Sequence, residues 1–465
     1  MNKSINIISF VLLVAVLSSG IFFGGCGILG TSASAETAVS SEDDTYEVPQ
    51  EYENGIIDTE DLFTKRDLKQ TADLSDAVYY TLSDNDDILI SEAGVYVISG
   101  TASEATILVE APDDAKVQIV LDSVSITNSD FPCIYVRTAD KVFVTVGSDS
   151  SLSVTGSFVS DGDIKTDGVI FSRSDLVLNG TAELTVSSSA HGIVGKDDLK
   201  ITGGTYLITA ASHGIEANDS IRIADGSLTV EAGKDALHAE NDDDDTLGYV
   251  YICGGTMNIS AGDDGIHAIS CIQIDGGSIE ISAAEAIEAT QVQINNGTLN
   301  LKASDDGINA ARKSSSMKPC VEINGGDITI TMGAGDTDGV DSNGDIIING
   351  GIVNVTGSST FDYEGSGVIN GGTVYCNGQQ VSSLPNQMMG GMGWGGPGGG
   401  WGGHGGWNGQ NGDRGAQDGD RGNRNGDSGE WNGQGGLPGQ RPDIGEGHPD
   451  GGFPEGGFPD AGGQI

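Results

Sequence analysis

Basic residues are scarce in this 465-residue chain, which has 21 Lys and Arg against 68 Asp and Glu and a net charge of −47. A protein with this charge repels nucleic acid and anionic lipid surfaces, so neither is expected as a partner held by charge. The chain should attract cations instead. It could hold an acidic polymer only through bridging metal ions.

Cysteine motifs, helical patterns and body tryptophans are also missing. Five scattered cysteines remain besides Cys26, an odd number without a CxxC pair, which argues against a disulfide framework or a zinc–cysteine site. No stretch of the body keeps a 3.6-residue apolar period, so helix should be scarce. All four tryptophans follow residue 386, which leaves the body without a flat Trp platform for sugars.

A short phrase recurs through the middle of the chain: an acidic residue or histidine, then Gly or Ala, an aliphatic residue, any residue and a small residue. Its second residues run from Gly192 to Gly365, spaced 22, 22, 29, 21, 21, 32 and 26 apart. Recurrence near 21–22 residues is typical of a solenoid. Short β-branched runs and turn pairs such as Gly254-Gly255 fall at fixed offsets between the phrases. The sequence therefore predicts an all-β fold, a parallel β-helix with three strands and about 21–22 residues per rung.

Composition divides the chain into four segments. The first resembles a bacterial lipoprotein signal in which Cys26 would carry the lipid, although Phe23 stands where an aliphatic residue is usual. The predicted segments are the signal at 1–26, a flexible tether at 27–74, the β-helix at 75–385 and a disordered Gly-rich tail at 386–465. The protein is expected to be an extracellular, monomeric cell-surface lipoprotein, bound to the membrane through its lipid anchor only.

Two insertions interrupt the period, at 240–245 and 312–319. Both follow the third strand of their rung, so both should bulge from one edge of the solenoid. Insertions on one face often build a binding face, but a tolerated surface loop is an equally good interpretation.

Aligned on the phrase, the rungs produce two polar columns. The first column, before the small residue, reads Asp167, His191, His213, Asp235, Asp264, Glu285, Asp306, Asp338 and Glu364. The second column, two residues past the small residue, reads Glu216, His238, His267, Glu288, Asn309 and Asp341. Adjacent rungs lie ~4.8 Å apart, where two like charges repel by ~3.5 kcal/mol at an effective dielectric constant of ~20. Cations are expected to relieve this repulsion.

The acidic positions predict Ca²⁺, because oxygen-rich flexible sites suit a hard cation. The predicted ligands are Asp235, Asp264, Glu285, Glu288, Asp306, Asn309, Asp336, Asp338 and Asp341. Turn chemistry is the alternative, since Asp-Gly is a favoured turn pair, yet Asp235 and Glu285 precede Ala.

The histidine-bearing positions are predicted to bind carbohydrate through hydrogen bonds. The residues concerned are His213, Glu216, His238 and His267. Surface turn residues and transition-metal ligands are further interpretations of the histidines that the pattern leaves open.

Longer stretches of the chain carry a family resemblance. They are Gly94-Val-Tyr-Val-Ile-Ser-Gly100, the run from Val117 to Asn128, and the iterated Asp-Gly-Ile-x-Ala rungs. Together they resemble the carbohydrate-binding β-helix family of Gram-positive cell-surface proteins, similar in fold to polysaccharide lyases of the pectate lyase type. The resemblance spans about 75–385. It implies a right-handed β-helix, bound calcium, and affinity for plant cell-wall polysaccharide, either cellulose or acidic polymers such as polygalacturonate.

Three functions follow, and non-catalytic polysaccharide binding is favoured. A calcium-dependent lyase would need an Arg or Lys as base, for which Arg312 and Lys313 are the best candidates because they follow Asp306 and Asn309 closely. In a structural or adhesive surface protein, calcium would only stiffen the solenoid.

Overall fold

The computed structural model describes residues 55–334 and 337–386. These residues form 36 β-strands and no helix, so none of the described segments is a helix that could cross a membrane. The strands in chain order are β1 Val78–Thr81, β2 Ile88–Ile90, β3 Gly94–Ser103, β4 Ile107–Glu110, β5 Lys116–Asn128, β6 Ile134–Thr138, β7 Lys141–Val146, β8 Ser150–Val154, β9 Gly168–Ser172, β10 Asp175–Gly180, β11 Glu183–Ser188, β12 His191–Gly195, β13 Asp198–Ile201, β14 Thr205–Ala210, β15 Ile215–Ala217, β16 Ser220–Ile223, β17 Ser227–Ala232, β18 Leu237–Ala239, β19 Tyr249–Ile252, β20 Thr256–Ala261, β21 Asp264–Ala268, β22 Cys271–Ile274, β23 Ser278–Ala283, β24 Glu285–Ala289, β25 Gln291–Ile294, β26 Thr298–Ala303, β27 Ile308–Ala310, β28 Cys320–Ile323, β29 Asp327–Met332, β30 Asp338–Ser342, β31 Asp345–Ile348, β32 Ile352–Thr356, β33 Ser359–Tyr363, β34 Gly367–Ile369, β35 Thr373–Cys376 and β36 Gln379–Val381.

The strands stack into a 24-stranded and a 12-stranded sheet, and strands of the coil pair in parallel with the equivalent strand one rung away. Strands β3 and β5 run through both parts of the larger sheet, and these parts are named the first and second sheets. The 12-stranded sheet is named the third. The first sheet holds β1, β3, β5, β7 and every third strand from β10 to β34, and the second holds β8 and every third strand from β11 to β35. The third sheet holds β2, β4, β6 and every third strand from β9 to β33. Hairpin β35–β36 adds an antiparallel pair at the C-terminal end. The predicted parallel β-helix is therefore confirmed, while its right-handed coiling stays a prediction.

Alternation along the short strands places the core. In one rung the inward side chains are Val250, Ile252, Met257, Ile259 and Ile266, each at most 1% exposed. Because β-branched side chains pack well on a pleated surface, stacked apolar columns from all the sheets fill the interior of the coil. The cysteines are part of this packing rather than disulfides: Cys133, Cys253, Cys271, Cys320 and Cys376 are free thiols.

Glycine has two different structural roles in the repeat. In the Gly254-Gly255 turn the second residue has φ +88°, a conformation that favours glycine. The Asp-Gly phrase, by contrast, opens a strand, and Gly265 has no positive φ. A Cβ on Gly265 would lie 2.6 Å from the carbonyl oxygen of Ala286 one rung away. The residue at this position is therefore small for steric reasons, and because its φ is not positive, alanine can occupy the equivalent position in other rungs.

The strand register corrects both ends of the first column. Asp338 pairs with Ser359 and Asp341 with Asp362, so the last repeat is regular and Glu364 lies beyond the strand. At the other end His191 pairs with Gly168, which puts Asp167 one residue out of register. Placing Asp167 and Glu364 in the column was wrong, because both precede a glycine that is not the structural equivalent.

The predicted tether is wrong for its last part, since residues 55–72 pack along the first sheet. The backbone N–H groups of Ile56 and Ile57 donate to the side chains of Gln293 and Gln273, at 3.1 and 2.8 Å. Further along, Asp67 is fully buried.

The carboxylate of Asp67 lies 3.6 Å from Lys141 Nζ and 3.4 Å from Lys200 Nζ. Nearby, Arg66 stacks over the ring of Phe143, 4.3 Å from its centroid. Composition did not identify residues 55–72 as part of the fold, because they have no periodic apolar pattern.

The two insertions meet on one edge, as predicted. Asp245 in the first loop accepts hydrogen bonds from the backbone N–H and hydroxyl of Ser315 in the second, at 2.8 and 2.6 Å. The hydroxyl of Ser314 donates to the Asp245 carbonyl at 2.7 Å. We call this contact the loop clasp. It spans the three rungs that separate β18 from β27, ~14 Å at ~4.8 Å per rung.

Candidate metal and carbohydrate site

The third sheet brings the two polar columns together on its outer side. Direct pairing joins Glu216 to His238, His238 to His267, His267 to Glu288, Glu288 to Asn309 and Asn309 to Asp341. The second column is thus confirmed in full. In the first column Asp264 pairs directly with Glu285. A continuous polar strip results, with histidines in its N-terminal half and carboxylates in its C-terminal half.

The histidine half, which comprises His191, His213, Glu216, Asp235, His238 and His267, contains a row of stacked imidazoles. Successive ring centroids are 5.1 Å apart from His191 to His213, 4.3 Å from His213 to His238 and 4.8 Å from His238 to His267. Each ring also meets a carboxylate through Nδ1: His191 to Glu216 at 3.0 Å, His213 to Asp235 at 3.3 Å, His238 to Asp235 at 2.7 Å and His267 to Asp264 at 2.7 Å.

The charges of the histidine half compensate one another. Burial by itself raises the pKa of Asp235, but the neighbouring imidazoles of His213 and His238 hold it below its usual range. The pKa of Glu216 is likewise lowered, against its burial, by His191 and by Lys196, whose Nζ donates at 2.7 Å. These carboxylates are therefore ionised and already paired.

The acid half comprises Asp264, Glu285, Glu288, Asp306, Asn309, Asp338, Asp341 and Asp362, and it is compensated only in part. Burial raises the pKa of Glu285 to about 8, and the charge of Glu288 adds to the shift. Burial and neighbouring carboxylates raise the pKa of Asp306 to about 7 and that of Asp341 to about 6. Asp264 and Glu288 lie near His267 and Lys313, but no salt bridge to a basic side chain compensates Glu285, Asp306 or Asp341 among the described residues.

An oxygen atom without a partner lies within the acid half. Asn309 is 8% exposed, and its Nδ2 donates to Glu285 at 3.0 Å and to Glu288 at 3.4 Å. Its Oδ1 is buried and accepts no hydrogen bond, and the same is true of Asp362 Oδ1. Buried polar atoms are normally satisfied, so this pair of oxygens indicates an absent positively charged or hydrogen-bonding group. Carboxylate and amide oxygens together fit a hard cation.

Four overlapping sets of side chains could each hold a metal ion, with their ligand atoms within 4.8 Å of one another. They are His191, His213 and Glu216; His213, Asp235 and His238; Asp235, Asp264 and His267; and Asp264, Glu285 and Glu288. The chemistry changes along the strip, from imidazole-rich sets to a set of oxygens alone.

The predicted site residues fall into three groups. Most predicted calcium ligands lie in the acid half, but Asp235 lies among the histidines and Asp336 lies outside the described residues, as does Cys26. The residues predicted to touch sugar, such as His213 and Glu216, are 11 and 17% exposed at the side chain and are engaged with other groups. Of the candidate bases, Arg312 is exposed, and Lys313 Nζ lies 2.7 Å from Glu288.

Asp362 belongs to the site, yet the aligned phrase missed it. Strand β33 carries Thr360 where the phrase has glycine, so the Gly365 match displaced the alignment. A count of one regular repeat from Asp341 would have found it.

A cavity of about 370 Å³ adjoins the histidine half. Its lining combines His191, His213 and Glu216 with four basic residues that are rare on this acidic chain, namely Lys165, Arg173, Lys196 and Lys234. Lys196 forms an ion pair with Glu216, as described above.

Known proteins are similar to this chain in sequence and in structure. The sequence profile of the carbohydrate-binding domain-containing proteins matches residues 84–336 and 283–382. A carbohydrate-binding domain-containing protein of Acetivibrio thermocellus is 33% identical over 129 residues, 27% of this chain and 45% of that relative. The match thus spans less than half the length of that relative. A solved structure described as a polysaccharide lyase-like protein from C. thermocellum, gadolinium derivative, has 29% identity and a TM-score of 0.42. That alignment covers 48% of this chain and 95% of the other.

The fold and the polar strip define an all-β solenoid with a row of ligand-type side chains on one sheet. The profile match covers most of that solenoid. This chain belongs to the carbohydrate-binding domain-containing family.

Proposed function

We propose that the protein binds polysaccharide through Ca²⁺ held in the acid half of the polar strip, without cleaving the polysaccharide. Family membership supports carbohydrate as the ligand class. The observation that carries the calcium proposal is the buried, unpartnered Oδ1 of Asn309 among carboxylates whose pKa values are raised.

The donor set favours calcium over softer metals. Asp306, Asn309 and Asp341 offer oxygen atoms only, and Ca²⁺ accepts six to eight such ligands in a flexible geometry. Bound Ca²⁺ would supply free coordination positions for sugar hydroxyls or uronate carboxylates. The chain's own residues would bind and orient the ion, and a divalent charge would let a chain of net charge −47 approach an acidic polymer.

Cleavage is not proposed, because the better placed candidate base is occupied. A lyase base must be free to accept the proton of the sugar C5 carbon. Lys313 is instead held in an ion pair with Glu288, one of the proposed ligands.

Pull-down on cellulose and on polygalacturonate, with calcium and with EGTA, tests the proposal. Binding should require calcium and should fall at least about tenfold in Asp306→Asn and Asn309→Ala. Glu280→Gln, which alters an exposed carboxylate of the second sheet that pairs with Lys302, is the matched control and should bind normally.

Three outcomes would contradict the proposal. Calcium-independent binding, or equal loss in the Glu280→Gln control, would remove the acid half from the function. Rising ultraviolet absorbance from an unsaturated product on polygalacturonate would establish the lyase function instead.

We also propose that Cys26 is lipidated and holds the protein on the outer face of the membrane. The sequence around Gly24-Gly25-Cys26 supports this proposal. Cys26→Ala should release the protein from washed membranes into the medium, as measured by immunoblot of the two fractions. Retention on the membrane would contradict it.

A further inference from the structure

We propose a second metal site in the histidine half, separate from the acid half, that binds a transition metal ion of the zinc class through His213, Asp235 and His238. These three side chains offer two imidazole nitrogens and one carboxylate oxygen within 4.8 Å of one another. Asp235 Oδ2 lies 3.3 Å from His213 Nδ1 and 2.7 Å from His238 Nδ1. Ligands bound at ~2.0–2.1 Å in a tetrahedron are ~3.3 Å apart, so small side-chain adjustments would seat an ion.

One nitrogen of this set is unsatisfied. His213 is 9% exposed, and its Nδ1 is buried without a hydrogen bond of acceptable geometry. The atom is directed toward Asp235, which is 4% exposed. A buried imidazole nitrogen without a hydrogen bond is costly to leave empty, and metal coordination is a chemistry that this atom can perform.

The surrounding contacts hold the ligands in place. Asp235 Oδ1 accepts a hydrogen bond from the Asp264 backbone at 3.0 Å, which fixes the carboxylate. His238 Nε2 lies 3.2 Å from Glu240 Oε2, the carboxylate–histidine arrangement that orients metal-bound imidazoles. His238 Nδ1 lies 2.7 Å from Asp235 Oδ2, so a metal ion bound here would replace the proton between these two atoms.

The close spacing of the imidazole rings disfavours protonating all of them at once. The rings of His191, His213 and His238 have centroids 5.1 and 4.3 Å apart, so charging all three would crowd like charges in a row. One divalent ion shared by two rings and Asp235 avoids this repulsion. Imidazole ligands suit zinc, copper and nickel better than calcium, which separates the site chemically from the acid half.

The adjoining cavity of about 370 Å³ reaches His191, His213 and Glu216, and gives an ion a route to the site. Among these cavity-lining residues, His191 Nδ1 lies 3.0 Å from Glu216 Oε2, so a further ligand is available one rung away from His213.

Calorimetric titration of Zn²⁺ into the full chain tests the proposal, with calcium present and sugar absent. All proteins carry His404→Gln and His448→Gln, so that the two tail histidines do not contribute. The parent should bind zinc, and the additional pair His213→Gln and His238→Gln should weaken this binding at least about tenfold. Glu280→Gln, which alters an exposed carboxylate outside the polar strip, is the matched control and should bind zinc as the parent does.

Co²⁺ absorption of the parent supplies a readout that needs no variant at the site. A four-coordinate spectrum with intense visible bands supports the proposal, and a weak octahedral spectrum overturns it. Unchanged zinc affinity in the histidine pair, or no zinc binding by the parent, overturns it too. The calcium-dependent pull-down is measured separately, so failure of the polysaccharide proposal and failure of this one are distinguishable.

Discussion

At the residue scale, the second residue of the repeated phrase is constrained by sterics and not by turn geometry. The sequence left the Ala variants unexplained, because Asp-Gly suggests a turn and Asp-Ala does not. In the structure Ala236 and Ala286 are fully buried, and their carbonyls approach the equivalent glycine of the neighbouring rung, Gly214 or Gly265. Periodicity revealed that the position must be small, but only rung-to-rung distance gives the reason.

Ala286→Val should therefore destabilise the protein, by about 1–3 kcal/mol, because two added methyl groups have no space at this position. Ala286→Gly is the control and should cost less, about 0.5–1 kcal/mol, since glycine fits the column. Urea unfolding followed by circular dichroism measures both. Equal losses in the two variants would contradict the steric explanation.

The raised pKa of Glu285, about 8 against a usual 4.5, predicts a pH dependence of stability without calcium. A carboxyl whose pKa is higher in the folded state opposes folding once it ionises, so stability should fall as pH rises from about 4.5 to 8. His267, whose pKa is raised to about 9, adds in the same direction, because its contribution is lost as pH rises from about 6.5 to 9.

In EGTA the melting temperature should thus be lower at pH ~8 than at pH ~5.5, and calcium should restore it. Glu285→Gln should flatten the dependence. A melting temperature in EGTA that rises over this interval would contradict the assignment.

At the element scale, strands were predictable because their apolar alternation is local, whereas contacts between distant segments were not. Residues 55–72 illustrate this limit. Asp67, with no local pattern around it, finds Lys141 and Lys200 on two different strands of the first sheet. The sequence also placed both insertions on one edge, yet the clasp between Asp245 and Ser315 joins residues 70 positions apart.

Asp67→Ala should release residues 55–72 from the first sheet, because it removes the carboxylate that pairs with buried Lys200 and leaves Lys141 with Asp175 alone. Limited proteolysis should cut this segment at least about tenfold faster, equivalent to about 1.4 kcal/mol, while the rungs stay protected. Asp73→Ala, at an exposed carboxylate just beyond this segment, should change little. Unchanged proteolysis in Asp67→Ala would show that the segment is held by other contacts.

At the scale of the whole molecule, the order of residue types along the coil was predictable, and the charge balance was not. Column alignment correctly placed histidines toward the middle and acids toward the C-terminal end. It could not reveal that Glu216 is compensated by His191 and Lys196 while Asp306 and Asp341 are not. Burial and side-chain direction decide this difference, and neither can be inferred from the spacing of the repeats in the sequence.

The excess of negative charge predicts a salt dependence. Raising NaCl from ~10 to ~200 mM shortens the Debye length from ~30 to ~7 Å and should raise the melting temperature in EGTA. The rise should be smaller with calcium, which already neutralises the acid half. Differential scanning calorimetry measures this, and an equal rise with and without calcium would contradict calcium binding in the acid half.

The loop clasp has a consequence for how this solenoid can change in length. In a coil whose rungs contact only their neighbours, one repeat can be duplicated or deleted with local effects. Asp245 and Ser315, however, meet across a fixed number of repeats. Gain or loss of a single rung between β18 and β27 would shift the loops by ~4.8 Å and break both hydrogen bonds. The interval that carries Asp264, Glu285 and Asp306 is therefore held at a set count, and lengthening by repeat duplication is open only outside it.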